Sequence, residues 1–247
     1  MPYTAVTALS HAGLIRDHNE DSLVVGPWTL CGTVTDSPQT LVFPRVRPFL
    51  TAVADGLGGH PGGEVASGLV VNRLAALGHG LTDAESLGRA LDACNRELHE
   101  AGESHPELAT MGTTIAGLLV LPDGLIVFNV GDSKVYLQDR DGLRQISVDD
   151  SPPPAPGERT TSAVTQTLGG TLALTTVTPH IGPAPLGPGD RYLVCSDGLT
   201  DPVPDDEIDR LLEEPEDGPA AFALWQAAIE AGGPDNITLA LVRVHGP

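Results

Sequence analysis

Cationic side chains are scarce in this 247-residue sequence, which has 13 Lys and Arg against 33 Asp and Glu and a formal charge of -20 at pH 7. A chain this negative repels the phosphate backbone of nucleic acids and the surface of anionic membranes at long range. Long apolar runs are also missing, and none approaches the ~18 residues that a membrane-spanning helix needs. We therefore predict that neither nucleic acid nor membrane is a partner.

Cysteines are few, and Cys31, Cys94 and Cys195 match no Cys-x-x-Cys or Cys/His metal spacing. We predict that they are core thiols in a reducing compartment. The first residues lack a basic region and reach charged side chains too early for a signal peptide. Together these features predict a cytoplasmic protein.

Aromatic residues number only nine, whereas hydrophobic residues make up 40% of the chain. We therefore expect Val, Leu and Ala to form most of the core. A chain of this length can form one hydrophobic core, so we predict a single domain over residues 1–247. The sequence does not determine the oligomeric state, for which a monomer is our expectation.

Apolar periodicity divides the chain into helical and extended segments. Residues 64–81 and 84–101 have helical spacing and predict an antiparallel helical hairpin. Apolar runs between turn residues predict an antiparallel meander over residues 114–138, and residues 26–48 are predicted to be an exposed hairpin or insertion. Further strands are predicted at 6–9, 22–25, 49–54, 191–195 and 237–244, and further helices near 205–212 and 218–231. This order favours an α+β layered architecture with largely antiparallel sheets over alternating βαβ units.

Three aspartates stand beside apolar runs and next to a small or amide residue, in the pairs Asp55-Gly56, Asp197-Gly198 and Asp235-Asn236. Strands from distant parts of a chain can bring such carboxylates to one point. With no cysteine or histidine pair nearby, oxygen ligands select Mg²⁺, Mn²⁺ or Ca²⁺ over zinc or copper. Each pair alone is also compatible with an ordinary turn, but the three together favour a hard-metal site.

The glycine-rich segment after Asp55 is the densest local signal, with five glycines between positions 56 and 63. Glycine lets the backbone approach an ion closely, and Gly56 could offer its carbonyl beside the Asp55 carboxylate. The alternative is a flexible turn before a helix. The segment matches neither a dinucleotide-binding nor a Walker A loop.

Two further residues are candidates for the same site. Asp132, in Gly131-Asp132-Ser133, is either a fourth carboxylate or part of a hairpin turn. Arg16 precedes Asn19-Glu20-Asp21 in a loop with few cations, where it could bind phosphate with two parallel hydrogen bonds. Its alternative is a surface salt bridge with Asp17 or Glu20, which contributes little.

Six motifs follow one another along residues 16 to 238: Arg16-x-x-Asn19-Glu20-Asp21, Asp55-Gly-x-Gly-Gly-His60, Gly112-Thr113-Thr114, Gly131-Asp132-Ser133, Ser196-Asp197-Gly198 and Gly232-Gly233-Pro234-Asp235-Asn236. In order and content they resemble the metal-dependent serine/threonine protein phosphatases, the PPM or type 2C family, and its bacterial branch in particular. The resemblance implies a four-layer αββα sandwich, an α+β fold of two mainly antiparallel sheets flanked by helix pairs. It also implies a phosphoprotein phosphatase that hydrolyses phosphoserine and phosphothreonine by direct attack of a metal-activated water.

The resemblance further implies a binuclear Mn²⁺ or Mg²⁺ centre at one end of the sandwich. Asp55 would bridge both metals, and Gly56 would give its carbonyl to one of them. Asp197 and Asp235 would complete the ligand set of the other metal, and Arg16 would hold the substrate phosphate. The expected catalytic residues are therefore Arg16, Asp55, Asp197 and Asp235.

Four more residues receive roles from the same resemblance. Glu20 and Asp21 would lie beside the second metal and act largely through waters. Asp132 would hold a weaker third metal together with Asp197, and Asn236 would support the ligands. The expected partners are phosphorylated proteins, the substrates of a serine/threonine kinase.

The chain departs from the family pattern at several positions. Leu57 stands where animal and plant members have a histidine proposed as general acid, which leaves protonation of the leaving oxygen to a metal-bound water or to another group. His60 is the nearest named candidate, and its alternative role is to shape the glycine loop. Lys134 replaces a common arginine, so it keeps the charge but loses the planar fork. Residues 149–165 form a shorter, proline-stiffened flap-like loop, for which we predict weaker dependence on flap closure and altered choice of protein substrates.

Two other functions remain compatible with the sequence. One is a metal-binding or regulatory module that retains the fold without catalysis, which the intact Asp55, Asp197 and Asp235 set disfavours. The other is a hydrolase of a different phosphoester on the same scaffold. No EF-hand spacing, Gly-x-Ser-x-Gly elbow or basic aromatic patch supports a site of another kind.

Overall fold

Two six-stranded antiparallel sheets face one another in the computed structural model, which describes residues 2–58, 62–157, 159–187 and 189–245. Sheet 1 has the strand order β10-β9-β13-β14-β1-β4, and sheet 2 has the order β12-β8-β7-β5-β2-β3. A third, two-stranded sheet pairs β11 with β6. The strands of the described residues are β1 Tyr3–His11, β2 Ser22–Val25, β3 Trp28–Cys31, β4 Gln39–Pro44, β5 Phe49–Ala54, β6 Gly112–Thr113, β7 Ile115–Val120, β8 Leu125–Val130, β9 Lys134–Asp139, β10 Gly142–Gln145, β11 Leu168–Gly169, β12 His180–Pro183, β13 Arg191–Cys195 and β14 Ile237–His245.

Helices cover the outer faces of both sheets. Helices α1 and α2 pack on sheet 2 through a cluster of buried side chains that includes Val70, Leu74 and Leu91. Helices α4 and α5 pack on sheet 1 through a second cluster, which also contains Leu199 of α3. The helices are α1 Gly63–Leu77, α2 Ala84–Ser104, α3 Asp197–Thr200, α4 Asp205–Leu211 and α5 Asp217–Glu230, with single 3₁₀ turns at Gly78–Gly80 and Pro106–Leu108.

Alternation along the strands builds the inner layer between the sheets. In β5, Phe49 and Val53 point between the two sheets, whereas Leu50, Ala52 and Ala54 point toward α1 and α2. The inter-sheet cluster consists mainly of Val, Leu and Ala, as the scarcity of aromatic residues predicts. The four-layer α+β architecture expected from the sequence is therefore confirmed.

Strand register brings distant segments to one end of the sandwich. In sheet 2, Ser22 at the start of β2 pairs with Ala54 at the end of β5, and Ile115 at the start of β7 pairs with Val130 at the end of β8. In sheet 1, the end of β13 lies between the starts of β9 and β14. Loops at these positions therefore converge, and they carry the acidic motifs.

The structure corrects three predictions of secondary structure. The predicted meander over 114–138 is wrong beyond β8, because Gly131 adopts a φ of 101° and the chain crosses to sheet 1 before β9. Residues 26–48 contain β3 and β4, which form the edges of the two sheets rather than an insertion. Sequence periodicity also missed α3, which has only four residues, and the short strands β10, β11 and β12.

Two more features bear on the predictions. The described part of residues 149–165 contains neither helix nor strand, in line with a proline-rich loop. No helix in the described part of the chain is long and apolar enough to cross a bilayer.

Candidate metal centre

Five aspartates meet at the end of the sandwich where the strand ends converge. Asp55 directly follows β5, Asp132 follows β8, and Asp197 begins α3 after β13. Asp21 and Asp235 stand just before β2 and β14. The charges of Asp21, Asp197, Asp132 and Asp235 all act on Asp55, which places Asp55 at the centre of the group.

Burial and mutual repulsion make the charged forms of these carboxylates unfavourable. Burial, followed by the charges of Asp21 and Asp197, raises the pKa of Asp55 well above its ordinary range. Burial and the charge of Asp132 raise the pKa of Asp197 to about 8. Burial raises the pKa of Asp132 to about 6. The group therefore needs cationic neighbours to hold all its negative charge at neutral pH.

Asp21 is the most enclosed of the five, with no exposed surface. Burial raises its pKa to about 7, even though hydrogen bonds from Thr238 and Ser196 favour its charged form. The Ser196 hydroxyl donates to Asp21 Oδ2 over 2.8 Å and so ties the first and fifth motifs together. Sequence reasoning named Ser196 only as part of a motif and missed this contact.

Two carboxylate oxygens in this group lack partners. Within the described residues, no donor reaches the buried Oδ1 atoms of Asp21 and Asp197. A buried acceptor without a hydrogen bond is costly unless a cation or a water satisfies it. The donor set is oxygen only, which suits Mg²⁺ or Mn²⁺. The residues present therefore fit the divalent metals that the sequence predicts.

Gly56 occupies a position that no larger residue could fill. A Cβ at Gly56 would lie 2.4 Å from the Gly63 carbonyl oxygen and 2.8 Å from the Glu20 carbonyl oxygen. Three backbone segments thus meet beside Asp55, and only a glycine at position 56 leaves room for them. Thr113 holds the Asp55 backbone in place, because its hydroxyl donates to the Asp55 carbonyl over 2.7 Å.

Arg16 lies at the outer rim of the carboxylate group. Its Nη2 donates to Asp235 Oδ2 over 2.7 Å, and both side chains are partly exposed, at 40% and 34%. The hydrogen bond to Asp235 raises the pKa of Arg16. Arg16 therefore pairs with Asp235, a predicted metal ligand, and not with Asp17 or Glu20. This contact places its guanidinium at the mouth of the site.

Asn236 supports the loop that carries Arg16. Its Oδ1 accepts from the Glu20 backbone N–H over 2.8 Å, and its Nδ2 donates to the carbonyls of Ala12 and His18. One amide therefore links the start of β14 to both ends of the Arg16 loop. This contact set fits the supporting role expected for Asn236.

Glu20 lies near the group but contacts a different partner. Its Oε1 lies 3.1 Å from His18 Nε2, and Glu64 Oε2 lies 4.0 Å from the same nitrogen. Ligand atoms of His18, Glu20 and Glu64 lie within 4.8 Å of one another, so they could hold a cation in principle. All three side chains stand at the surface or close to it, and nothing else points to a ligand there.

A cleft of about 440 Å³ opens beside Asp132 and Asp197; we call it the charged cleft. Lys134 Nζ donates to Asp149 Oδ2 over 2.6 Å and to the Asp132 carbonyl over 3.2 Å, so its charge is committed within the cleft wall. Arg159 of the flap-like loop donates to the Asp201 carbonyl over 3.0 Å. His60, the candidate general acid, lies outside the described residues.

Comparison with known proteins agrees with this geometry. A family model described as protein phosphatase 2C matches residues 39–238. The serine/threonine protein phosphatase PstP of Mycobacterium tuberculosis is 36% identical over 96% of this chain and 44% of PstP, so the chain spans less than half of that relative. The serine/threonine phosphatase stp of Listeria innocua is 30% identical over 94% of this chain and 92% of stp.

Solved structures give the same result. The crystal structure of Mycobacterium tuberculosis PstP/Ppp matches with a TM-score of 0.81 and 32% identity, over 99% of this chain and 100% of that one. The catalytic domain of PstP in complex with two manganese ions matches with a TM-score of 0.78 and 32% identity, over the full length of both chains. On the family match and these relatives, the chain belongs to the protein phosphatase 2C family.

Proposed function

We propose that this chain is a metal-dependent phosphoprotein phosphatase that hydrolyses phosphoserine and phosphothreonine monoesters at a binuclear Mn²⁺ or Mg²⁺ centre. The observation that carries the proposal is the convergence of five aspartates and Arg16 at one end of the sandwich. The two manganese ions in the PstP catalytic domain support the choice of metal.

The family resemblance implies the proposed ligand assignment, and the convergence of the five aspartates supports it. Asp55 and the Gly56 carbonyl would hold one ion, and Asp55, Asp197 and Asp235 the other. Asp132 with Asp197 would take a third, while Glu20 and Asp21 would act beside the second ion and Asn236 would support the set. Bound divalent cations supply Lewis acidity, which lowers the pKa of water toward neutrality and polarises phosphoryl oxygens.

Arg16 supplies the cationic part of substrate binding from the protein itself. Its guanidinium can donate two hydrogen bonds to the phosphoryl oxygens that are not transferred, and it offsets charge there as the transition state forms. Leu57 is apolar and, in the described structure, lies near Gly112 and Gly170, where an added Cβ would meet its Cδ1 at 2.8 and 3.1 Å. Residue 57 therefore cannot donate the proton that the leaving oxygen needs.

Several finer proposals rest on the same function. We propose phosphorylated proteins as substrates, made by a serine/threonine kinase, with a role in cytoplasmic signalling. A monomer, a single catalytic domain over residues 1–247 and a short flap-like loop near 149–165 remain predictions. Two alternatives, a metal-binding module without catalysis and a hydrolase of other phosphoesters, remain as outcomes of the test.

Metal dependence tests the proposal directly. We expect purified protein to hydrolyse p-nitrophenyl phosphate and phosphothreonine peptides when Mn²⁺ is present and to stop when EDTA is added. Calorimetric titration with Mn²⁺ should show binding under the same conditions. Turnover that survives EDTA would exclude the metal mechanism, and Mn²⁺ binding without turnover would favour the non-catalytic module. Turnover of small phosphoesters but of no phosphopeptide would favour the third alternative.

Gly58 offers a second test, aimed at Arg16. A Cβ at Gly58 would lie 2.8 Å from Arg16 Nη1, so Gly58→Ala should push the guanidinium away without disturbing the fold. Loss of charge-assisted hydrogen bonds to phosphate should raise KM for p-nitrophenyl phosphate roughly tenfold. Gly80→Ala is the matched control, because no atom lies within 4 Å of its added Cβ. An unchanged KM in Gly58→Ala would remove Arg16 from phosphate binding.

A further inference from the structure

A second depression lies beside the site, between Leu57-Gly58 and the segment 162–177; we call it the threonine groove. Its volume is about 480 Å³, and five of its lining residues are threonines. None of its described lining residues is charged, although the chain carries a net charge of -20. The groove is therefore an uncharged surface on a strongly acidic protein.

The groove reaches the phosphate-binding end of the site. Gly58 lines it, and a Cβ at Gly58 would lie 2.8 Å from Arg16 Nη1. The flap-like loop divides this groove from the charged cleft, since Arg159 and Thr161 line the cleft while Ser162 and Thr165 line the groove. An extended peptide with its phosphate at Arg16 therefore meets two surfaces of different character.

Side-chain hydrogen bonds hold the groove wall in place. Asn95 of α2 is 1% exposed, and its side chain accepts from the Gly169 N–H over 2.8 Å and donates to the Thr175 carbonyl over 2.9 Å. Gln166 bonds Asp150 and both backbone groups of Thr178 through its amide. The groove is thus formed before a ligand arrives, which lowers the entropic cost of binding.

Apolar side chains stand exposed on the same segment. Leu172 is 81% exposed and Leu174 is 56% exposed, within the stretch whose Thr171 and Thr175 line the groove. Leu57, Val164 and Val177 add apolar surface inside. Uncharged walls with apolar side chains match a peptide segment that is itself uncharged and partly apolar.

We propose that the threonine groove holds the substrate residues on one side of the phosphorylated residue and selects phosphoproteins whose sequence there is uncharged and partly apolar. This inference rests on the proposed phosphatase function and names its substrate class. A charge of either sign would lose its hydration in the groove without gaining a charged partner among the described lining residues. Residues on the other side of the phosphate face the charged cleft and are selected on different grounds.

A peptide panel tests the proposal. Each phosphothreonine peptide in the panel would carry Leu, Ser, Glu or Lys at one position before or after the phosphothreonine and would otherwise be identical. On one side only, Glu and Lys should each lower kcat/KM about tenfold relative to Leu. Measurement near 0.15 M and 1 M salt separates this effect from the long-range electrostatic field of the acidic chain. At 1 M salt the screening length is only about 3 Å.

Charge-swap variants supply a readout that a merely structural role would not change. Thr176 lines the groove and is exposed, so Thr176→Lys should favour Glu peptides on the groove side, and Thr176→Glu should favour Lys peptides. We expect the ratio of kcat/KM for Glu and Lys peptides to differ at least about tenfold between the two variants. Gln226→Lys on α5 adds the same charge outside the groove and should keep the wild-type ratio.

The outcomes separate the two levels of inference. The groove proposal would be overturned if peptides tolerated charge equally on both sides of the phosphothreonine. It would also be overturned if the ratio of kcat/KM for Glu and Lys peptides were the same in both Thr176 variants. Either result would leave the proposed phosphatase activity in place. Absence of Mn²⁺-dependent turnover of every phosphoester would overturn the proposed function, and the groove proposal with it.

Discussion

Replacing Asp197 with asparagine is expected to lower kcat in saturating Mn²⁺ by about 10³-fold or more. Metal ions contribute several kcal/mol to such transition states, and each ~1.4 kcal/mol corresponds to a factor of ten in rate. Asparagine keeps the size of the side chain but removes the negative charge that is proposed to hold the cation. The Oδ1 atom of Asp197 is buried and has no donor among the described residues, so its main interaction is expected to be with metal.

The same substitution should make the protein more stable once metal is stripped from it. Burial and the charges of Asp132, Asp201 and Asp235 raise the pKa of Asp197 to about 8, which means that its charge is costly in the folded state. Thermal unfolding in EDTA at pH 8 should therefore show a higher Tm for Asp197→Asn than for the wild type. Loss of activity together with gain of stability identifies a functional residue rather than a structural one.

Asp123→Asn is the matched control for this change. Asp123 is exposed in the turn between β7 and β8, so the same loss of one negative charge occurs away from the site. Its kcat and its Tm in EDTA should match those of the wild type. Near-normal kcat in Asp197→Asn would remove Asp197 from the metal site, and a lower Tm in EDTA would assign it a structural role.

The sequence predicts the layers of the fold well because the core strands are continuous apolar runs and the main helices have helical apolar spacing. Ser22–Val25, Phe49–Ala54 and Arg191–Cys195 are strands at the predicted positions. The crossing of the chain from one sheet to the other is not predicted, since it depends on single backbone angles such as the positive φ of Gly131. Edge strands are also missed, because β4 alternates exposed and half-buried residues and lacks a continuous apolar run.

The site is predicted less completely than the fold. Motifs identify the acidic residues and Arg16, because their chemistry is visible in the residue types. Contacts such as Ser196 to Asp21 and Asn95 to Gly169 join residues separated by 175 and 74 positions. No local pattern encodes such pairs, so the threonine groove and the enclosure of Asp21 emerge only from the packed structure.

The metal-free protein is expected to lose stability as pH rises, and Mn²⁺ is expected to restore it. Burial raises the pKa of Asp132 to about 6, of Asp21 to about 7 and of Asp197 to about 8, from ordinary values near 3.8. Between the ordinary pKa values and the raised ones, the folded state binds more protons than the unfolded state, so the free energy of unfolding falls as pH rises. The loss begins near pH 4 and continues to about pH 8, and the raised pKa of Asp55 acts in the same direction.

The expected size makes the effect easy to measure. One pKa unit corresponds to about 1.4 kcal/mol per group, so a loss on the order of a few kcal/mol is expected between pH 6 and pH 8. That corresponds to a fall in Tm of about 10 °C for a chain of this size. His11 acts in the opposite direction, because burial lowers its pKa, but it is a single group against several carboxylates.

Mn²⁺ reverses the trend because its ligands must be deprotonated to bind. The increase in Tm on adding Mn²⁺ should therefore be larger at pH 8 than at pH 6, and it should nearly vanish in Asp197→Asn. Scanning calorimetry with EDTA or with excess Mn²⁺ at both pH values measures all four states. A metal-free Tm that stays level or rises toward pH 8 would contradict the picture of crowded, charge-repelling carboxylates. If it falls as expected, the acidic cluster destabilises the apo fold, and the metal that the chemistry requires also stabilises the native state.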